Sequence, residues 1–176
     1  MQQYINPQPA VIRFILKDDG RFPNSGLFLL IYKNALILPE THAASEIKKI
    51  FKSNNWKNSS LNGIFNYHHY HSTTHEVLGI CEGFANVQFG GPHGVAENVY
   101  KGDVIIIPAG VAHKCNNSSD DFKCIGAYPD GMDYDIKKGE PSDRPKADEN
   151  IENVKLPDAD PVYGLDGPLI LNWEMQ

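Results

Sequence analysis

Four histidines and one glutamate lie within nine residues of this chain, because residues 68–76 read HHYHSTTHE. Imidazole nitrogens and a carboxylate form a donor set suited to a divalent first-row metal, so one chemistry open to this stretch is metal binding. In a β-strand, alternate side chains share a face. His69 and His71 are therefore expected to point one way, and His68 and Tyr70 the other way.

The residues after His71 leave two arrangements open. If the strand continues unbroken, His75 joins His69 and His71, and Glu76 faces away from them. The Ser-Thr-Thr trio at 72–74 is compatible with a turn and precedes a new apolar run. A turn there would direct Glu76 inward and His75 away, and spacing alone does not choose between these arrangements.

The elements that must position this stretch are short and β-like. From about residue 61 to 130 the chain consists of runs such as GIFNYHHYH, EVLGICEG, DVIIIPAG and KCIGAYP, separated by glycines. Short strands at this spacing are typical of an antiparallel sandwich or barrel. Two apolar runs between residues 10 and 39 predict two further strands, and THAASEIKKIFKSNNW predicts one amphipathic helix with Thr41 as a possible N-cap.

We expect the whole chain, 1–176, to form a single domain. Its predicted parts are N-terminal strands and a helix over 10–56, a central barrel over about 60–130, and a C-terminal segment over 130–176. The C-terminal segment is charged and rich in proline up to about Pro161, which predicts an extended surface excursion. Its last stretch, VYGLDGPLILNW, is apolar again and is expected to dock on the body.

Composition narrows the class of protein. The net charge is −6, with 16 basic and 22 acidic residues, and there is no dense basic run, so neither nucleic acid nor an anionic membrane is an expected partner. No apolar run is long enough to span a bilayer, and the first residues lack the pattern of a secretory signal. The sequence thus predicts a cytoplasmic protein and leaves small molecules or proteins as its partners. Its three cysteines are expected to be reduced and buried.

Two groups of residues share their spacing with a known family. The first group is Gly63, His69, His71, Glu76 and Gly83. The second group is Gly102, Pro108, Gly110, His113 and Asn117, and 18 residues separate the two groups. Both resemble, without departure, the two sequence motifs of the cupin superfamily. The flanking stretches DDGRFPNS and GAYPDGMDYD are similar to those of small bacterial cupins of the YjlB type.

The resemblance implies a mainly β, jelly-roll β-barrel whose interior holds one divalent transition metal, which could be Fe, Mn, Ni, Zn or Cu. Carried over residue by residue, it implies His69, His71, Glu76 and His113 as the metal ligands. Tyr67, at even spacing from His69, could supply a catalytic phenol. His75 is a second catalytic candidate, although we favour a hydrogen-bonding position for it over metal ligation.

An N3O donor set on a six-coordinate metal leaves two positions open, which favours a catalytic site over a closed structural one. The leading hypothesis is a metal-dependent, dioxygenase-like oxidoreductase that acts on a small oxygenated metabolite. The alternatives are a non-enzymatic, metal-anchored binding or sensing protein and a redox-neutral isomerase or decarboxylase. No lysine or arginine lies between Leu61 and Tyr100, so a phosphorylated substrate is disfavoured. By analogy with small cupins, the sequence predicts a homodimer.

Overall fold

The computed structural model describes residues 1–173 and contains nine strands and three α-helices within them. The strands are β1 (Ala10–Leu16), β2 (Ser25–Lys33), β3 (Trp56–Asn62), β4 (Glu76–Glu82), β5 (Phe84–Phe89), β6 (Val95–Tyr100), β7 (Val104–Ile107), β8 (His113–Ser118) and β9 (Lys123–Pro129). The helices are α1 (Ala43–Ser53), α2 (Lys146–Asn153) and α3 (Pro168–Trp173). The predicted mainly β fold is confirmed.

The strands form two antiparallel sheets. The larger sheet has the order β1-β2-β7-β4-β9-β3, and the smaller has the order β6-β5-β8. One apolar cluster joins the two sheets, since it contains Leu29, Leu78 and Ile105 from the larger sheet and Val87 and Phe89 from the smaller. The main-chain hydrogen bonds of the described residues keep the two sheets separate and do not close them into one continuous barrel.

The larger sheet is covered on both faces, which explains its continuous apolar runs. In β7 all four residues of the VIII segment are buried. Ile105 packs between the sheets, whereas Ile106 faces a second cluster that contains Ile47 and Phe51 of α1. The predicted amphipathic helix therefore exists, and its apolar face lies against the sheet. It begins after His42, whose backbone φ is 66° and whose side chain makes no capping bond, and not after Thr41.

The histidine-rich segment differs from its prediction as a strand. Regular strand structure ends at Asn62 and resumes at Glu76, and between them only single bridges form, such as His69 with His113. The backbone N–H groups of His69 and His113 donate to each other's carbonyls at 3.2 and 2.8 Å. This reciprocal pair still gives His69 an extended conformation, so the alternation of side chains is preserved although the regular ladder is absent.

The C-terminal segment also differs from its prediction as an extended excursion. It contains α2 and α3, and Leu169 and Trp173 of α3 are buried. Asp160, which is fully buried, accepts hydrogen bonds from the Tyr32 hydroxyl and from the backbone N–H groups of Val162, Tyr163 and Leu169. The segment forms helices because these side chains find partners on the distant strand β2, which periodicity within the segment does not reveal.

No helix among residues 1–173 is long and apolar enough to cross a membrane.

Candidate metal centre

Three histidines converge at one buried point. One ring nitrogen from each of His69, His71 and His113 lies within 4.8 Å of the others, and all three side chains are buried. His113 begins β8, and its backbone pairs with His69, which brings those two rings to a centroid distance of 4.1 Å. His71 follows two residues after His69 on the same side, at 5.6 Å. The triad is therefore a cluster that could hold a metal ion.

The second nitrogen of each ring is occupied by the backbone. Nδ1 of His69 donates to the Tyr67 carbonyl, Nδ1 of His71 to the Asp135 carbonyl, and Nδ1 of His113 to the Val111 carbonyl. A neutral imidazole that donates through Nδ1 keeps its lone pair on Nε2. All three rings are thus oriented as metal ligands.

Glu76 lies beside two members of the triad, His71 and His113, although it does not belong to the group of mutually close ligand atoms. Its Oε2 lies 3.1 Å from Nε2 of His71 and 3.3 Å from Nε2 of His113. Its Oε1 accepts a hydrogen bond of 3.1 Å from the hydroxyl of Tyr128 at the end of β9. Because Nε2 of each neutral ring is an acceptor, a carboxylate oxygen at these distances is stabilised only by a proton or a cation between the atoms. The donor set therefore fits a divalent metal.

A turn at residues 72–74 directs Glu76 to the triad. The backbone N–H of Ser72 donates to Oδ1 of Asp135 at 2.6 Å, the Ser72 hydroxyl donates to Oδ2, and the Thr73 hydroxyl donates to the Asp133 carbonyl. These bonds hold the polar trio in a bend, so β4 begins at Glu76 with the opposite parity. Of the two arrangements left open by the sequence, the structure adopts the one with Glu76 inward and His75 outward.

Burial and charge act differently on the members of this cluster. Burial, reinforced by the neighbouring His113, lowers the pKa of His69 to about 3. Burial also lowers the pKa of His71, but the Glu76 carboxylate outweighs it and the net pKa is raised. For Glu76 burial acts to raise the pKa, and the imidazoles of His71 and His113 reverse this and hold it well below its usual range. The carboxylate is therefore ionised at neutral pH.

A cavity of about 410 Å³ opens above the cluster. Its described lining consists of the three histidines and Glu76, the small or polar residues Ser60, Asn62, Gly63, Cys124 and Gly126, and the apolar or aromatic residues Ile64, Phe65, Leu78, Tyr128 and Tyr134. Tyr128 and Tyr134 stack at a centroid distance of 4.7 Å, and Tyr134 contacts the ring of His71. A small molecule in this cavity would meet the histidine cluster directly.

The two catalytic candidates from the sequence lie outside this lining. Tyr67 is half-buried and stacks on Phe65, one ring away from the cavity. His75 is buried on the other side of the chain, where its ring packs against Trp173 and its Nδ1 accepts the N–H of Ala109. Burial lowers the pKa of His75 to about 4, so its ring is neutral. These contacts give His75 the hydrogen-bonding position favoured above.

Tyr70 and the cysteines lie around the triad in different ways. Tyr70 points away from the triad, as expected, and is fully buried against Phe22, Ala112 and Ala147. The C-terminal segment covers this side, because Ala147 belongs to α2. Cys115 does not line the cavity, whereas Cys124 does. All three cysteines are free and buried, as expected.

Tyr128 and Tyr134 are the site residues that sequence reasoning missed. Both lie in the stretch GAYPDGMDYD, which drew notice only for its resemblance to small cupins. The alternation of β9 offers one signal, since Gly126 and Tyr128 share the face that lines the cavity. Which residue that face meets depends on the pairing of β9 with β4, 52 residues away at Glu76.

Comparison with known proteins places this geometry in a family. The sequence profile of the cupin family matches residues 58–129. Over 161 residues the chain is 44% identical to the uncharacterized protein YjlB of Bacillus subtilis, an alignment that covers 91% of this chain and 94% of that protein.

Solved structures with lower identity are also similar. A DUF861 family protein from Thermotoga maritima matches with 19% identity and a TM-score of 0.36, over 56% of this chain and 96% of its own. An acireductone dioxygenase from Bacillus anthracis, with a cadmium ion in its active centre, matches with 19% identity and a TM-score of 0.36, over 50% of this chain and 58% of its own. Oxalate decarboxylase from Bacillus subtilis matches with 21% identity and a TM-score of 0.39, over 65% of this chain and 28% of its own. With its histidine cluster and its extensive identity to YjlB, the chain belongs to the cupin family.

Proposed function

We propose that this cupin is a metal-dependent enzyme, a dioxygenase-like oxidoreductase that acts on a small oxygenated metabolite. His69, His71, His113 and Glu76 would hold one divalent metal. One observation carries the proposal: hydrogen-bond acceptors lie opposite one another in the cluster. Oε2 of Glu76 lies 3.1 Å from Nε2 of His71 and 3.3 Å from Nε2 of His113, and both rings already donate through Nδ1. A divalent cation would satisfy this arrangement in place of a proton on Nε2, and the cluster forms the floor of an open cavity that a ligand can enter.

The bound metal would supply Lewis acidity and, if it is redox-active, one-electron chemistry. The chain contributes the surroundings. Leu78 and Ile64 line the cavity with apolar surface, and this limits the water that reaches a ligand. Tyr128 holds its proton at the hydroxyl, because burial and the Glu76 carboxylate both raise its pKa. It thereby fixes Oε1 of Glu76 and directs Oε2 to the histidines.

The redox-neutral alternative, an isomerase or decarboxylase, also has one observation in its favour. Such chemistry requires a general acid or base beside the metal. The phenol of Tyr128 lines the cavity, is protonated, and donates to a group of the cluster. Under this alternative Tyr128 would take the role first assigned to Tyr67 and His75, provided that a ligand lowers its raised pKa. The choice between the two enzyme classes depends on the metal.

Elemental analysis of protein purified without a metal-affinity tag tests the proposal. We expect about one transition-metal ion per chain in the native protein and none in a His69→Ala/His113→Ala double variant. A His93→Ala variant, which removes an exposed histidine, is the matched control and retains the metal. Iron would support the dioxygenase-like function, and zinc would support the redox-neutral one. The proposal is contradicted if the native protein contains no metal and binds no divalent transition-metal ion when one is added.

A further inference from the structure

The charge of the metal cavity limits what can bind there. Apart from the histidines, Glu76 is the one ionisable side chain with a charge at neutral pH among its described lining residues, and it is negative. The three arginines of the chain are engaged elsewhere. Arg13 lies over the Phe28 ring, and Arg21 lies over the Phe22 ring and donates to the Gly139 carbonyl. Arg144 pairs with Asp18 and Asp148. A ligand with several negative charges would therefore find no cation in the lining except the metal.

Aromatic rings stand on both sides of the histidine cluster. Next to His69, Phe65 lies at a centroid distance of 5.0 Å and stacks on Tyr67 at 4.9 Å. Next to His71, Tyr134 lies at 5.1 Å and stacks on Tyr128 at 4.7 Å. Phe65 and Tyr134 both line the cavity and are 45% and 42% exposed, so each outer ring has an open surface.

Two glycines, Gly63 and Gly126, belong to the cavity lining. A Cβ atom at Gly126 would lie 3.2 Å from Oε1 of Glu76 and 3.5 Å from the Leu78 side chain, so this glycine keeps side-chain atoms away from the carboxylate. A Cβ at Gly63 would meet nothing within 4 Å, so the cavity is open at this position, two residues before Phe65.

From these observations, and resting on the metal site of the proposed function, we infer that the substrate is a small planar, conjugated molecule. It would carry two adjacent oxygen donors and at most one negative charge. The oxygens would bind the metal, while the flat body would contact Phe65 and Tyr134 through ring faces or edges. Dianionic and phosphorylated chelators are disfavoured, because the lining offers no cationic side chain to bind a charge beyond the one at the metal.

The test uses two chelators that differ only in the group beside the metal-binding atoms. Benzohydroxamic acid and acetohydroxamic acid present the same hydroxamate, with a phenyl or a methyl substituent. Their dissociation constants are measured by calorimetry on the zinc-loaded protein. For the wild type, we expect the ratio of the two dissociation constants to favour the phenyl compound more strongly than the same ratio measured for free zinc ions in buffer. This preference is expected to fall about three- to tenfold in Phe65→Leu and in Tyr134→Leu.

Phe84→Leu is the matched control, since Phe84 is 45% exposed on β5 and lies outside the lining. It is expected to keep the wild-type preference. A second pair of chelators tests the effect of charge. Para-carboxy and para-carbamoyl benzohydroxamic acid have similar shapes, but the first carries an additional negative charge, and it is expected to bind more weakly. If the protein binds zinc but shows no preference for the phenyl compound, the inferred substrate class is wrong and the metal site is retained. The same conclusion holds if Phe65→Leu and Tyr134→Leu keep the wild-type preference. If the protein holds no metal, both proposals fall.

Discussion

The two carboxylate oxygens of Glu76 have different partners, and this difference orients the carboxylate toward the histidines. Oε2 faces the histidines, and Oε1 is held by the phenol of Tyr128. A ligating carboxylate is commonly oriented by such a hydrogen bond, and its loss typically weakens metal binding 10- to 100-fold. We therefore expect Tyr128 to act through Glu76 as a positioning residue for a bound metal.

Tyr128→Phe is expected to weaken metal binding by about tenfold, because Oε1 loses its donor and the carboxylate can rotate. Affinity is measured by competition with a chromophoric chelator, and the visible spectrum of the cobalt-substituted protein reports the ligand geometry. Tyr134→Phe retains the stacked ring and removes a hydroxyl that does not contact Glu76, so it serves as the control. Equal affinities and spectra in the two variants would show that the phenol of Tyr128 does not position the ligand.

Among the elements, the C-terminal segment is tied to the sheet by one buried carboxylate. Asp160 accepts four hydrogen bonds, from the Tyr32 hydroxyl on β2 and from three backbone N–H groups of its own segment. Gly167 packs against it so closely that a Cβ there would lie 2.2 Å from Cβ of Asp160. This contact sets the path of the chain into α3, whose Trp173 packs on His75.

Asp160→Ala is expected to lower the free energy of unfolding by about 3 kcal/mol or more, since it leaves several buried donors without an acceptor. Urea denaturation measures the loss. Asp158→Ala, which removes an exposed carboxylate two residues away, is expected to change stability by less than about 0.5 kcal/mol. If the two variants unfold alike, Asp160 is not the anchor of this segment.

For the whole molecule, we expect the edge of the larger sheet to form the contact between two copies. β1 is the first strand of this sheet and, within residues 1–173, pairs only with β2. Val11 and Ile15 lie on one side of β1 and are 37% and 43% exposed. An edge strand with apolar side chains offers unpaired backbone groups and a surface to a second copy of the chain. The homodimer thus remains a prediction, with β1 as its proposed contact.

Light scattering at high protein concentration is expected to give twice the chain mass of 19.6 kDa. Ile15→Lys should shift the protein to a monomer, because a lysine on an edge strand opposes pairing. Phe84→Lys, which places the same charge at an exposed position on β5 in the smaller sheet, should remain dimeric. A wild-type monomer would contradict the predicted assembly, and a dimeric Ile15→Lys variant would move the contact away from β1.

The sequence by itself determined the fold class and the expected ligand set. The short β runs and the helical spacing of Ile47, Ile50 and Phe51 are local patterns, so the mainly β fold and α1 were predictable. The motif spacing identified His69, His71, Glu76 and His113 by resemblance. The strand alternation that places His69 and His71 on one face is local, but the position of Glu76 beside them also depends on the turn at residues 72–74.

Only the tertiary structure decided the surroundings of these residues. The turn that directs Glu76 inward is held by Asp135, 63 residues after Ser72. Tyr128 reaches Glu76 across 52 residues, and α3 covers His75 from nearly 100 residues away. Such contacts depend on how strands and helices pack, and no periodicity within one segment encodes them. For the same reason the sequence named Tyr67 and His75 as catalytic candidates, whereas the fold brings Tyr128 and Tyr134 to the cavity at the histidine cluster.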